Sequence, residues 1–259
     1  MKDPSYIADH IRRVLLDGGS APHSAEVQWF FKEEVKSRGW YTAELRKVAV
    51  RFRRTLLKEH GLPYLVLVAD QLYRGEILEE KVFAVFLLEK NVSDFNEQHF
   101  RLFARWLDRV SSWADHDALV HYLIGPLIAA DEKRTGRIYT WANSRNRWRR
   151  RAAAVSLIRA IRMPAGRKRV FRHVKDITGV LLNDPDDIVQ KGLAWLLRET
   201  AKADAKMTVP FLISIRERAP RLVLRTACET LTSAVRKRIL EKMQVPRRGR
   251  RVLAKTEPA

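Results

Sequence analysis

The chain has 259 residues, 46% hydrophobic and 31% charged, and its 50 lysines and arginines against 30 acidic residues give a net charge of +20. That apolar content excludes a disordered chain, and the single cysteine, Cys228, excludes an intrachain disulfide framework and a cysteine-rich zinc site. The excess of positive charge favours a polyanionic partner, with nucleic acid ahead of an acidic membrane surface.

The N-terminal segment, residues 1–16, has no long apolar core and no small-residue cleavage site, so it does not fit a secretory signal. No segment approaches the roughly 18 uninterrupted apolar residues of a transmembrane helix. The longest apolar stretches, such as residues 62–69, are too short and contain Pro63. We therefore expect a soluble, cytoplasmic protein with no membrane partner.

Helical periodicity dominates along the chain. Apolar residues recur at spacings of three and four in residues 79–90, 152–161 and 188–197, whereas the alternating runs typical of strands are scarce. Turns between helices are predicted at Gly61-Leu62-Pro63, Gly125-Pro126, Met163-Pro164-Ala165-Gly166, Asn183-Asp184-Pro185 and Ala219-Pro220. The sequence therefore predicts an all-α protein.

Three predicted helix starts look alike. Each carries a small residue where neighbouring helices would cross closely, Ala153, Gly192 and Ala227, and these follow one another at about 39 and 35 residues. This period is typical of a two-helix repeat of the HEAT type. We predict an α-α superhelix with a basic concave surface that binds duplex DNA; a plain helical bundle is the alternative.

The domain prediction follows from the same pattern. Residues 1–243 are assigned to a single HEAT-like helical domain. Residues 244–259 have little apolar content and contain the arginine-rich run 246–251, so they are predicted to form a basic, disordered tail. Such a run is usually a solvated tail, and a non-specific phosphate contact is the functional alternative.

Familiar catalytic motifs are absent from the sequence. There is no glycine-rich phosphate loop and no zinc-binding His-Glu-x-x-His motif, and the seven histidines are scattered. Asp115, His116 and Asp117 are adjacent, but neighbours in sequence point in different directions on a helix. We predict no metal site and no cofactor, and we place Cys228 in the core.

Trp113 and Asp117 are four residues apart, a spacing that puts an indole and a carboxylate side by side on a helix. Taken alone, this spacing favours a tryptophan that packs in the core and an aspartate that faces solvent or caps a helix. Trp195 lies among leucines and by itself favours a core position. The run 149–151 by itself favours a solvated face.

Four groups of residues nevertheless occur together in a fixed order. They are Gly39-Trp40-Tyr41-Thr42-Ala43, Trp113-x-x-x-Asp117, Trp148-x-Arg150-Arg151 and Gln190-Lys191-Gly192-Leu193-Ala194-Trp195. This ordered set resembles the DNA alkylation repair family, the HEAT-repeat alkylpurine DNA glycosylases of the AlkD type. The resemblance covers roughly residues 25–240.

The resemblance implies a monofunctional glycosylase that removes N3- or N7-alkylated purines from duplex DNA. In such relatives the carboxylate matching Asp117 supports catalysis, and the tryptophans matching Trp113 and Trp195 contact the deoxyribose of the lesion. A carboxylate near the sugar stabilises the oxocarbenium-like charge that develops as the base leaves, by several kcal/mol in a water-poor site. Each indole face adds about 0.5 to 2 kcal/mol through cation–π contact.

The same resemblance assigns DNA contacts. The second arginine of the Trp-x-Arg-Arg motif, Arg151, is implied to bind the DNA backbone near the lesion, where a planar guanidinium suits a phosphate. Arg149, Arg150 and Lys191 are further predicted phosphate contacts. The chemistry needs only a monomer.

Two other functions remain open from the sequence. A non-catalytic HEAT-like module that binds damaged or branched DNA would share the charge and the fold, but it has less reason to carry Trp113, Asp117 and Trp195. A scaffold for acidic proteins is the third possibility, because most helical solenoids bind proteins. Steep weakening of duplex binding by salt would separate DNA binding from the scaffold.

Overall fold

A computed structural model of the chain describes residues 3–241, so the predicted tail lies outside the described residues. All regular structure in the described part is helical, which confirms the all-α prediction. The α-helices are α1 (Pro4–Asp17), α2 (Ala21–Gln28), α3 (Thr42–Tyr73), α4 (Leu78–Leu88), α5 (Glu97–Trp106), α6 (Trp113–Leu119), α7 (Gly125–Ala130), α8 (Gly136–Ala142), α9 (Arg147–Val155), α10 (Leu157–Arg162), α11 (Arg167–Leu181), α12 (Asp187–Ala203), α13 (Ala205–Ile215), α14 (Arg221–Ala227) and α15 (Ser233–Leu240).

Most of the predicted turns lie where the structure breaks a helix. Gly61 adopts φ +77° and divides α3 into two segments, and Gly166, at φ +74°, precedes α11. The segments 183–185 and 219–220 separate α11 from α12 and α13 from α14. Gly61 and Gly166 both adopt a positive φ, which residues with a side chain rarely do.

The predicted turn at Gly125-Pro126 is wrong. The backbone continues from α6 through a π-helical segment, Val120–Ile124, directly into α7, and Gly125 is helical at φ −60°. The Gly125 N–H donates to the carbonyl of Val120, five residues earlier. Pro126 has no N–H to donate, and it lies where the π-helical segment gives way to α7, so the hydrogen-bond ladder changes register at the residue that cannot contribute a donor.

The helices pack on one another in sequence order, as a repeat fold requires. Helix α3 packs on α4, α8 on α9, and α12 lies against both α9 and α14. Most of the buried apolar side chains form one connected cluster along the described chain, and Cys228 is part of it, as predicted. Ala153, Ala227 and Gly192, the small residues of the predicted repeat, are all buried at these contacts.

Between residues 3 and 241, no helix is both long enough and apolar enough to cross a lipid bilayer.

Candidate active site

The start of α6 is anchored by buried polar contacts. Ser112 and Asp115 form a capping box, with the Asp115 carboxylate accepting the Ser112 backbone N–H at 2.7 Å. Lys81 of α4 reaches the same place, because its Nζ donates to the Arg109 carbonyl at 2.6 Å and lies 3.4 Å from Asp115. All three side chains are almost fully buried. This anchor fixes the helix that carries Trp113 and Asp117.

Asp117 is held by Arg151 of α9. Arg151 Nε donates to one carboxylate oxygen at 3.0 Å and NH2 donates to the other at 2.7 Å. The third nitrogen of the guanidinium, Arg151 Nη1, donates a hydrogen bond to the carbonyl of Ile188 at 2.6 Å. The Arg151 side chain is 7% exposed, against 22% for Asp117. The carboxylate is therefore the more accessible partner of the pair, and the guanidinium that holds it is buried.

Gly192 of α12 leaves the space through which Arg151 reaches Asp117. A Cβ at position 192 would lie 2.9 Å from Arg151 Cγ and 3.2 Å from its NH1. The small residue that the sequence marked as a helix-crossing site thus also accommodates the arginine.

His116 contacts the same carboxylate. Its Nδ1 lies 2.7 Å from an Asp117 oxygen, and its Nε2 lies 3.1 Å from the carbonyl of Trp148. The ring is fully buried, and this burial lowers the pKa of His116 although Asp117 opposes the shift. Sequence reasoning missed this contact: adjacent side chains leave a helix in different directions, but the imidazole is long enough to turn back to its neighbour.

Asp117 is ionised across the physiological range. Burial raises the pKa of this carboxyl, but the hydrogen bond from His116 and the charge and hydrogen bonds of Arg151 outweigh burial and lower its pKa to about 2. A carboxylate with so low a pKa cannot donate a proton at neutral pH. It can stabilise positive charge or orient a water molecule.

Asp117 lines an open cleft of about 510 Å³ that is rich in aromatic side chains. Trp113, 37% exposed, stacks on Phe31 with ring centroids 4.9 Å apart. Trp195 also lines the cleft, near-parallel to His121 with ring centroids 6.3 Å apart. The structure therefore brings together the three residues predicted to be catalytic, and neither tryptophan is a fully buried core residue.

A second carboxylate, Glu79, also lines this cleft, but its oxygens are already engaged. They accept the Ser37 hydroxyl at 2.6 Å and the backbone N–H groups of Arg38 and Gly39 at 2.8 and 3.0 Å. Glu79 therefore holds the turn before α3. Gly39 is required in this turn, at φ +74°, because a Cβ there would lie 2.0 Å from the Ser20 carbonyl oxygen.

None of the four side chains predicted to bind phosphate lines the cleft itself, and all of them are engaged in ion pairs. Arg149 donates to both oxygens of Asp108 at 2.7 and 2.6 Å, and Arg150 pairs with Asp184 at 2.6 Å. Lys191 pairs with Asp187 at 3.1 Å. Phosphate binding by these residues stays a prediction, and for Arg151 it would require the buried contacts to Asp117 and Ile188 to be exchanged.

Sequence reasoning also missed most of the cleft wall. Several aromatic and cationic lining residues were not singled out as site residues: Phe30, Phe31, Tyr41, Arg46, Phe86 and Tyr122. The run Trp29-Phe30-Phe31 was the one available signal, because three successive aromatics in a polar segment are unusual. Between residues 3 and 241, no three or more His, Cys, Asp or Glu side chains are grouped so as to hold a metal ion.

Comparison with known proteins gives a family and a fold. Residues 11–231 match the family described as DNA alkylation repair enzyme. A predicted DNA alkylation repair enzyme from Enterococcus faecalis superposes with a TM-score of 0.70 at 16% identity, over 83% of this chain and 97% of that one. AlkD2 from Streptococcus mutans superposes with a TM-score of 0.56 at 18% identity, over 74% of this chain and 90% of that one. Among curated proteins, none matches the chain.

Proposed function

Because the chain belongs to the DNA alkylation repair enzyme family, we propose that it is a monofunctional DNA glycosylase. Its substrate is an N3- or N7-alkylated purine in duplex DNA, and its reaction is hydrolysis of the N-glycosidic bond. One observation carries this proposal: an ionised carboxylate, Asp117, lies in an aromatic cleft beside Trp113 and Trp195. It acts as a monomer and needs no cofactor.

The reaction requires stabilisation of a cationic sugar. As the bond between C1′ and the purine nitrogen breaks, the electron pair goes to the base and cancels its positive charge. The deoxyribose is left with oxocarbenium character, and a fixed carboxylate close to it lowers the barrier by several kcal/mol. Arg151 and His116 pre-orient Asp117, so little reorganisation is needed when the charge develops.

Water completes the reaction. It attacks C1′ from the side opposite the departing base, and its proton is released to solvent. Asp117 orients this water through a hydrogen bond, as carboxylates do in sugar hydrolysis. The indoles of Trp113 and Trp195 contribute about 0.5 to 2 kcal/mol each by facing the cationic sugar.

The proposed substrate leaves without acid assistance. Asp117 is ionised, and burial, reinforced by Arg162 and Arg159, lowers the pKa of His121. Neither group therefore donates a proton at neutral pH. An alkylated purine already carries a positive charge and needs no proton to depart. No lysine lines the described cleft, so a Schiff-base step with strand cleavage is not expected.

Release of methylated purines from duplex DNA tests this proposal. Wild-type protein is expected to release N3-methyladenine or N7-methylguanine into solution and to leave unmodified bases in place. Tight, salt-sensitive binding to the same DNA without base release would instead support the second candidate, a non-catalytic module for damaged DNA, which the net charge of +20 also fits.

A further inference from the structure

Two aromatic side chains beside the cleft are exposed far beyond the others. Trp29 is 91% exposed and Phe30 is 74% exposed. Tyr41 has the next highest exposure among the large hydrophobic side chains of the described chain, at 55%. Phe30 belongs to the cleft lining, and Trp29 precedes it in the turn that follows α2. Isolated exposed apolar residues are ordinary, but two successive ones at the edge of a candidate active site form a distinct surface.

The turn that carries them is braced. The Gln28 amide donates to the Glu33 carbonyl at 2.8 Å and accepts the Val35 N–H at 2.8 Å. The backbone N–H groups of Trp29 and Phe30 bond the carbonyls of α2 at 3.1 Å each. The two aromatic rings are therefore presented by a fixed backbone, which reduces the entropy lost when a ligand binds.

The far end of the turn is tied to the rest of the molecule. Phe31 stacks on Trp113, Lys32 pairs with Asp187 at 2.8 Å, and Glu33 pairs with Arg147 at 3.2 Å. These contacts connect the turn to the first residues of α6, α9 and α12. They also place Trp29 and Phe30 at one end of the cleft that contains Asp117.

We propose that Trp29 and Phe30 form a stacking platform for a nucleobase that has left the helical stack next to the lesion. Aromatic side chains stack on the π face of any base, so the contact needs no sequence preference. The ion pairs beside the platform are matched in charge, because Lys32 and Lys191 share Asp187 and Arg147 contacts both Glu33 and Asp186. The choice of a nucleic acid over an apolar protein face therefore comes from the net charge of +20 and from the place of Phe30 in the lining of the cleft that contains Asp117. The inference rests on the proposed function for its choice of DNA as the ligand.

Binding of Trp29→Ala to three fluorescent DNAs tests the platform: an intact duplex, the same duplex with one tetrahydrofuran abasic site, and the single strand. The variant is expected to bind the abasic duplex and the single strand about tenfold more weakly, but the intact duplex almost as tightly as wild type does. Trp29→Phe, which keeps a ring, should recover most of the loss. Leu222→Ala, at a 45% exposed residue outside the cleft lining, is the matched control and should change none of the three.

Several outcomes would overturn the platform. Wild-type affinity of Trp29→Ala for all three DNAs would do so, and so would an equal loss on all three, because that pattern indicates a backbone contact. A wild-type dimer that Trp29→Ala converts to a monomer would assign the surface to a second copy of the chain. Base release from methylated DNA is measured separately, so a failure of the proposed chemistry is distinguishable from a failure of the platform.

Discussion

Asp117 and Arg151 meet in a two-pronged ion pair across the α6–α9 contact, with the two nitrogen–oxygen distances at 3.0 and 2.7 Å. The guanidinium lies beneath the carboxylate and is fixed in turn by the Ile188 carbonyl. This arrangement fixes the orientation of the carboxylate and keeps the group ionised. In the proposed mechanism Arg151 is therefore a positioning residue, and Asp117 is the group that acts on the sugar.

Arg151→Lys is expected to lower base release by at least about tenfold, because one ammonium cannot form both bonds to Asp117. The lost contacts also raise the pKa of Asp117 from about 2, so the acid limb of the pH–rate profile moves to higher pH. Arg74→Lys removes a guanidinium that donates twice to Asp70 outside the cleft and should leave the profile unchanged. A wild-type pH–rate profile for Arg151→Lys would contradict this role.

Gly192→Ala is expected to disturb the ion pair between Arg151 and Asp117 by crowding the Arg151 side chain. The added Cβ would lie 2.9 Å from Arg151 Cγ, so either the arginine or α12 must shift. Overpacking of this kind destabilises by about 1 to 3 kcal/mol, measurable by urea unfolding, and base release should fall with it. Gly179→Ala in α11 is the matched control: nothing lies within 4 Å of its Cβ, so it should be neutral or stabilise by up to about 1 kcal/mol. Equal effects of the two substitutions would argue against crowding at Arg151.

The breaks between helices were largely predictable, because the residues that stop helices act locally. Gly61 interrupts α3 and Gly166 precedes α11, each through its own positive φ angle, and a reader of the sequence needs no tertiary information to find them. Gly125-Pro126 was misjudged because both residues also fit the first turn of a helix, and the preceding π-helical segment does not show in the hydrophobic pattern.

The site was predictable only in part. The resemblance identified Trp113, Asp117 and Trp195, and the structure places all three on one cleft. The sequence could not show that Arg151 is buried. An arginine that is exposed to solvent and one that is buried against a carboxylate cannot be told apart within a run of three arginines. The turn at residues 29–33 was missed for another reason: it has no helical period, and its contacts to α6, α9 and α12 are with residues more than eighty positions away.

Asp117 should also contribute to stability in a pH-dependent way. Its pKa in the folded state is about 2, below the ordinary value of 3.8, so the folded state binds its proton less readily than the unfolded state does. The resulting stabilisation is fully present above about pH 4 and is lost as the pH falls toward about 2, and it amounts to roughly 2 kcal/mol. The difference in unfolding free energy between wild type and Asp117→Asn should shrink by that amount over this range in urea titrations. A difference that stays constant with pH would show that the carboxyl is not perturbed.

In the proposed reaction, the Asp117 carboxylate stabilises the positive charge that develops on the sugar as the glycosidic bond breaks. The most direct test compares base release from purine-methylated duplex DNA by wild-type protein and by Asp117→Asn, with DNA affinity and unfolding free energy measured on the same samples. Asn keeps the size of the side chain but removes its charge, so we predict a more than tenfold slower release with DNA binding largely intact. Asp94→Asn, at an exposed carboxylate outside the cleft lining, should behave as wild type does. Release at the wild-type rate by a folded Asp117→Asn protein would remove Asp117 from the mechanism.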